Sequence, residues 1–163
     1  MANVEPWLRG TLTEVEPVKR AVLHALELAG EDIEIWSGNL TDAEMCARPH
    51  GLPPVSFQLR HIARSLDRLL TYAEGAGLSD GQLAALKDEM GPAAAAEVLR
   101  EVREGLARSI ERVRAIAPES FAEPRGVGKK MLPTTVAGLV VHCADHTQRH
   151  VGQMVTTVKV LRG

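Results

Sequence analysis

Three histidines spaced four residues apart are the side chains in this sequence best suited to chemistry. They lie in the stretch His142-Cys143-Ala144-Asp145-His146-Thr147-Gln148-Arg149-His150. On a helix each four-residue step turns about 400°, so the three imidazoles form a column along one face. Leu139 and Val151 lie beside that face, which indicates that the column points inward. An inward imidazole is commonly a core residue with a hydrogen-bond partner, but His-x3-His is also a spacing that places two imidazoles on one metal ion.

The composition of the chain is that of an ordinary globular protein. Its 163 residues include 45% apolar and 25% charged residues, with a formal net charge of -2. This length suits one compact domain, and we expect residues 1–163 to form it. Aromatic residues make up only 3%, so the core must be built from Leu, Val, Ile and Ala. The absence of a basic excess argues against binding to nucleic acid.

The sequence carries no sign of a membrane segment or an export signal. No apolar run approaches the roughly 20 residues that a membrane-spanning helix needs, and the start of the chain lacks the charged and apolar regions of a signal peptide. We therefore expect a cytoplasmic protein that does not contact a membrane. In that compartment Cys46 and Cys143 are expected to be free thiols.

Prolines divide the chain into four long stretches with helical periodicity. The first begins with Thr13 and Glu16 as a capping box or with Glu16 as the cap and Pro17 as the first helical residue. Ser79 is placed to cap a short additional helix. The four long helices are expected at residues 14–38, 55–74, 93–117 and from 134 or 135 to about 161.

The segments between these helices are expected to be irregular. Residues 1–13 should lie on the domain, held by Trp7 and Leu8. Residues 118–133 contain Gly126-Val127-Gly128 followed by two lysines, but the spacing does not fit a phosphate-binding loop. We interpret this segment as a flexible, charged surface loop. Together with the loop around His50, which we expect to be exposed, it is a candidate rim for a site.

Two segments of the sequence resemble signature segments of the DinB/YfiT superfamily of bacterial proteins. They are RHIARSLDRLL, from Arg60 to Leu70, and HCADHTQRHVGQM, from His142 to Met154. In that family a histidine of the second helix joins an H-x-x-x-H-x-G-Q pattern in the last helix. The matching positions here are His61, His146 and His150. His142 does not match a usual ligand of the family, and the roles of His24, His50 and His142 stay open.

The resemblance implies an all-α fold, a four-helix bundle of the DinB/YfiT type with long loops and one short extra helix. It also implies a divalent metal ion on His61, His146 and His150, and a homodimer. Three imidazoles leave coordination positions free for water or substrate, as in catalytic metal sites. Imidazole suits zinc, nickel, iron and copper, and we expect zinc or nickel. Ser65, Gln153 and backbone carbonyls are candidates to orient the rings.

The resemblance favours a metal-dependent enzyme that acts on a small-molecule substrate. Relatives in the superfamily are similar to thiol-dependent transferases and isomerases or to hydrolases, some with a low-molecular-weight thiol as cofactor. The alternative is a non-catalytic metal-binding or stress-response protein. The sequence offers no convincing protein nucleophile, and no catalytic residue is assigned. Cys143, the nearest candidate, is better interpreted as a small buried hydrophobe.

Overall fold

The structure, a computed structural model, describes residues 4–163 and is mostly helical. Four long helices dominate it: α1 (Pro17–Ser37), α3 (Val55–Ala73), α5 (Ala95–Ala115) and α6 (Val136–Arg162). Two shorter helices, α2 (Asp42–Cys46) and α4 (Asp80–Lys87), lie in the connections. Strands β1 (Pro124–Val127) and β2 (Leu132–Thr135) pair as an antiparallel hairpin before α6. The predicted all-α class is therefore confirmed, with a small hairpin added.

Side-chain caps explain where several helices begin. Glu16 accepts a hydrogen bond from the backbone N–H of Lys19, and Pro17 occupies the first turn of α1, so the second of the two predicted starts is confirmed. Thr41 and Ser79 form capping boxes at α2 and α4. Thr135 caps α6. Each cap satisfies backbone N–H groups that have no partner inside the helix.

The four long helices pack around an aliphatic core. Helix α3 lies against both α5 and α6, and α1 also contacts both α5 and α6. Leu, Val, Ile and Ala dominate the buried side chains, as the composition predicts, and Met45, Met154 and Cys143 join them. Since α3 and α6 are neighbours along much of their length, residues on their facing sides meet.

The connections are more ordered than the sequence predicts. Instead of one short extra helix the described chain has two, α2 and α4. The segment expected to be a flexible loop forms the hairpin, with Pro124 opposite Thr135 and Val127 opposite Leu132. Gly128 adopts a φ of +70° at its tip. The strands lack alternating apolar residues and contain prolines, which an isolated edge pair tolerates, so periodicity gives no signal for them.

The start of the chain is held differently from the prediction for residues 1–13, of which 1–3 lie outside the described residues. Trp7 and Leu8 are 62% and 58% exposed, so they do not pin the segment, whereas Pro6 is buried. The Arg9 guanidinium instead forms two hydrogen bonds to the carboxylate of Glu31, at 2.6 and 2.8 Å. A bidentate ion pair, not an aromatic anchor, holds this segment on α1.

Among residues 4–163, none of the helices combines the length and the apolar character needed to cross a membrane.

Candidate metal centre

Helices α3 and α6 bring together His61, His146 and His150, the three histidines that the sequence singles out. His61 lies in the second turn of α3, and the other two lie one turn apart in the middle of α6. One ring nitrogen from each histidine lies within 4.8 Å of the other two. The Nε2 atoms of His61 and His146 are 3.4 Å apart. The cluster could hold a metal ion.

The orientation of His61 is fixed by a buried carboxylate. Its Nδ1 lies 2.7 Å from Oε2 of Glu89, which is 5% exposed and follows α4. Arg68 donates to the other oxygen at 2.9 Å. Burial acts to raise the pKa of Glu89, but the hydrogen bonds and charges of His61 and Arg68 outweigh it and hold that pKa below its ordinary value. An ionised carboxylate can only accept, so Nδ1 of His61 donates to it, and Nε2 is the ring atom left to bind a metal ion.

The other two imidazoles are oriented by neutral acceptors on α3. Nδ1 of His150 donates to Oε1 of Gln58 at 2.6 Å. Nδ1 of His146 lies 3.3 Å from the hydroxyl oxygen of Ser65. That hydroxyl donates its own proton to the carbonyl of His61, so its oxygen is left to accept from His146. Ser65 was among the predicted partners, whereas Gln58 and Glu89 were not.

These hydrogen bonds occupy the three Nδ1 atoms and leave the three Nε2 atoms to bind a metal ion. When all three rings are neutral with Nδ1 protonated, no proton bridges His61 and His146 across 3.4 Å. Converging lone pairs repel each other unless a cation lies between them. Neutral imidazoles with Nδ1 held by a carboxylate, an amide or a hydroxyl oxygen are the form in which histidine binds zinc and similar ions. The residues present therefore fit a divalent metal ion.

Burial also favours the neutral form of the histidines on α6. It is the main cause that lowers the pKa of both His146 and His150 to about 4, from an ordinary value of 6.5. Neighbouring imidazoles and Arg149 add to the shift, while Gln153 and Glu89 oppose it at His150. At neutral pH both rings are therefore uncharged, each with one proton on Nδ1, and need lose no proton to bind a metal ion through Nε2.

The surroundings of the cluster are partly open. Phe57 stacks on His61 with ring centroids 5.4 Å apart. The three histidines are half-buried. A cavity of about 300 Å³ begins beside Gln58 and continues along the exposed side of α6; it is lined by Leu52, Pro53, Gln58, Arg149, Gly152, Gln153, Thr156 and Thr157. The cluster thus has a small cleft next to it in which a further molecule fits.

Of the two loops predicted to form the rim of the site, the one at residues 118–133 lies elsewhere. Nε of Arg125, in β1, donates to the carbonyl of Ala73 at 2.9 Å, which places the hairpin at the C-terminal end of α3. His61 is twelve residues earlier, about 18 Å along the helix axis. The turn at Pro49–Gly51 does contact α6, and His50 in it is exposed as predicted.

The remaining histidines lie outside the cluster. His24 is buried on α1 and its Nε2 lies 3.1 Å from the hydroxyl of Thr11. His142 continues the column on α6, with its ring centroid 5.3 Å from that of His146, but its Nδ1 pairs with Asp145 at 2.7 Å. His142 is thus a neighbour of the cluster, as expected, and not a member.

Neither cysteine is placed to act as a nucleophile. Both are free thiols, as predicted. Cys143 is fully buried, and burial raises its pKa to about 12, so its reactive thiolate is suppressed. Cys46 is exposed, and its thiol lies 3.6 Å from the carbonyl of Ala93. The prediction that Cys143 is a small buried hydrophobe is confirmed.

A model of a known protein family covers the part of the chain that carries this site. The family model described as the DinB superfamily matches residues 25–154. The matched range contains all three histidines together with Gln58, Ser65 and Glu89. No curated protein matches the chain. Because the family model covers most of the sequence, the chain belongs to the DinB superfamily.

Proposed function

We propose that the protein is a metal-dependent enzyme in which one divalent ion is held by Nε2 of His61, His146 and His150. The observation that carries this proposal is a cluster of three imidazoles whose Nδ1 atoms each lie at a hydrogen-bond partner, Glu89, Ser65 or Gln58. Such an arrangement leaves at least one coordination position for another molecule. When bound, the ion would act as a Lewis acid that lowers the pKa of a thiol or a water molecule.

The side chains around the cluster would bind and orient the reacting molecule. Arg149 lines the adjacent cleft and is 58% exposed at its side chain, with only a long contact of 3.4 Å to Asp145. Its guanidinium is therefore available to an anionic group. Thr156 and Thr157 line the same cleft, and their hydroxyls donate to backbone carbonyls. A small substrate or thiol with a carboxylate fits this combination.

The reaction class that we propose is a thiol-dependent transfer or isomerisation, or a hydrolysis. A low-molecular-weight thiol such as mycothiol, bacillithiol or glutathione would serve as the cofactor in the first case. Zinc or nickel is the ion that we expect, because neutral imidazole suits both. The activated group would come from the thiol or from water, since Cys143 is buried with a raised pKa.

The alternative function is metal binding without catalysis. It is favoured by the position of the cluster in the contact between α3 and α6, where a bound ion would join two long helices. Under this alternative the fourth coordination position would be closed by a protein group or remain unused. The two functions differ in whether the loaded protein consumes a thiol or cleaves a substrate.

The experiment starts from protein purified without an affinity tag, with its metal content measured. Consumption of the common low-molecular-weight thiols with small electrophiles, and hydrolysis of model esters and amides, are then followed with and without a chelator. We expect activity that disappears with the metal and in His150→Ala but survives in Cys143→Ser. An inactive Cys143→Ser variant with full metal content would make the thiol of the protein itself the nucleophile. No turnover by fully loaded protein would favour the non-catalytic alternative.

We further propose the context in which this site works. The four long helices would form the four-helix bundle of the family as a single domain over residues 1–163, and the protein would be a cytoplasmic homodimer without nucleic-acid or membrane partners. Light scattering at tens of micromolar protein measures the molar mass. A mass of two chains would support the dimer, and a mass of one chain would contradict it.

A further inference from the structure

A second cavity lies at the opposite end of α3 from the candidate metal centre. Its volume is about 560 Å³, which is larger than that of the cleft beside the histidines. Tyr72, in the last turn of α3, is eleven residues beyond His61, about 16 Å along the helix axis. The lining residues come from the end of α3, the connection that follows it, α4 and the hairpin: Tyr72, Gly75, Ala76, Gly77, Leu78, Leu83, Pro124, Arg125, Gly126, Gly128, Lys129 and Met131.

Arg125 fixes the two walls of this cavity relative to each other. Its Nε donates to the carbonyl of Ala73 at 2.9 Å, and its two terminal nitrogens donate to the carbonyl of Pro124 and to Glu123. Gly75 turns the chain at the end of α3 with a φ of +81°. A side chain there would start 3.7 Å from Nε of Arg125. Three of the five N–H donors of the guanidinium thus hold the hairpin against the end of α3 and within itself.

The lining is apolar with an excess of positive charge. The large apolar residues among those that line it are Tyr72, Leu78, Leu83 and Met131. Two lining residues are basic, Arg125 and Lys129, and none is acidic. Within residues 4–163, Lys129 forms no ion pair and the hydroxyl of Tyr72 forms no hydrogen bond. One cationic and one hydroxyl donor are therefore free at an otherwise apolar surface.

Apolar side chains are also left uncovered at the mouth of the cavity. Met131 is 67% exposed, with a φ of +48° that is unusual for a residue other than glycine, and Leu83 is 39% exposed. Grouped exposed apolar residues next to a concave surface are typical of binding sites. Pockets for small molecules commonly measure about 300–1,000 Å³ and combine an apolar lining with a few polar groups.

We infer that the cavity between the end of α3 and the hairpin binds a small organic anion with a flat apolar body, such as an aromatic carboxylate. The apolar body would lie against Tyr72, Leu83 and Met131. The anionic group would meet the ammonium of Lys129 and the hydroxyl of Tyr72. This site uses none of the residues of the candidate metal centre, so its test does not depend on the outcome for the proposed function.

The test uses the full chain and its single tyrosine, Tyr72. Fluorotyrosine labelling gives one fluorine resonance, located at the cavity. The anionic probe is anilinonaphthalene sulfonate, and phenylnaphthylamine, which lacks the sulfonate, is its neutral counterpart. We expect the anionic probe to shift the resonance in a saturable manner with the same dissociation constant that its fluorescence gives.

Two lysines of the hairpin provide a matched pair of variants. Lys129 lines the cavity and Lys130, the next residue, does not. Loss of a charge-assisted hydrogen bond in Lys129→Met should weaken the anionic probe about tenfold. The neutral probe should be unaffected by that change, and Lys130→Met should bind both probes as the unchanged protein does. Equal effects of the two lysine variants on the anionic probe would overturn the proposal.

A third variant tests the cavity without altering charge. Gly77 lines it, and a Cβ added there would meet no atom within 4 Å. In Gly77→Leu the new side chain should occupy the space and weaken both probes by at least about tenfold. Unchanged binding in this variant, or a Tyr72 resonance that does not move when probe fluorescence saturates, would place the probes elsewhere and overturn the inference.

Discussion

Two helix contacts in this molecule differ in what they bury. Between α3 and α6 lie the polar side chains of Gln58, His61, Ser65, His146 and His150, each in a hydrogen bond or a close imidazole contact. Between α1 and α5 the facing residues are apolar, with a groove of about 340 Å³ and a charged rim; they include Leu26, Gly30, Ile33, Val102, Leu106 and Ile110.

This difference shows which helix contact carries side chains that the stability of the fold does not require. Apolar contacts such as those of α1 and α5 stabilise a helical protein in proportion to the area they bury. Half-buried polar groups on a helix contact cost free energy unless every one is paired. Half-buried histidines on α3 and α6 whose ring nitrogens are held by polar partners thus indicate a role other than stability. Four predictions test this contrast.

The largest effect is expected from His146→Ala, which removes one of three proposed ligands. Stoichiometric metal should be lost, as measured by elemental analysis after dialysis. His142→Ala is the matched control, because His142 lies one turn earlier on the same helix and pairs with Asp145. It should keep its metal. Full metal content in His146→Ala would remove the assignment of this cluster.

The second prediction concerns Leu106→Ala, which alters the apolar contact between α1 and α5. Leu106 is 6% exposed, and large-to-small changes in a core typically lower the free energy of unfolding by about 2–5 kcal/mol. We expect the lower half of that range, since the groove beside Leu106 already leaves space. Urea unfolding should show the loss, while metal content stays at one ion per chain. Loss of metal in this variant would mean that the two contacts are not independent.

A smaller effect is expected when the acceptor for one imidazole is removed. Gln58→Leu takes away the oxygen that holds Nδ1 of His150 at 2.6 Å, and loss of such a partner typically weakens metal affinity by about 10–100-fold. Competition with a chromogenic chelator measures it. Gln148→Leu is the control, because Gln148 on α6 donates to the carbonyl of Ala25 on α1. Equal affinities of the two variants would contradict the role given to Gln58.

The smallest effect concerns the stability of the metal-free protein at mildly acidic pH. The pKa values of His146 and His150 are lowered to about 4 in the folded chain, from 6.5. The unfolded chain therefore binds more protons between these values, and stability falls as pH drops from about 6.5 to about 4. Urea unfolding after removal of metal should show this slope. A double variant, His146→Gln with His150→Gln, should reduce it, and an unchanged slope would contradict the lowered pKa values.

The sequence alone predicts the parts of the fold that follow from local rules. Proline positions and apolar periodicity place the four long helices within a few residues of their observed ends. The caps at Glu16 and Ser79 are also predicted, since each needs only residues close in sequence. The hairpin is not, because its strands have neither alternation nor a common turn motif.

The site is predictable in part for the same reason. His146 and His150 are one turn apart, and the resemblance of the segment around His61 adds the third histidine. Gln58 lies three residues before His61, a spacing that could have drawn attention to it. Glu89 has no such signal, because it lies 28 residues beyond His61 and reaches it only through the tertiary packing of the connection after α4.

The most direct test of the central claim is the X-ray absorption spectrum of the protein loaded with one zinc ion per chain. The account predicts three imidazole nitrogens at about 2.0–2.1 Å, with any remaining ligand an oxygen. The same spectrum from His142→Ala should be unchanged. A sulfur ligand at about 2.3 Å, or fewer than three imidazoles in the unaltered protein, would contradict a centre built from His61, His146 and His150.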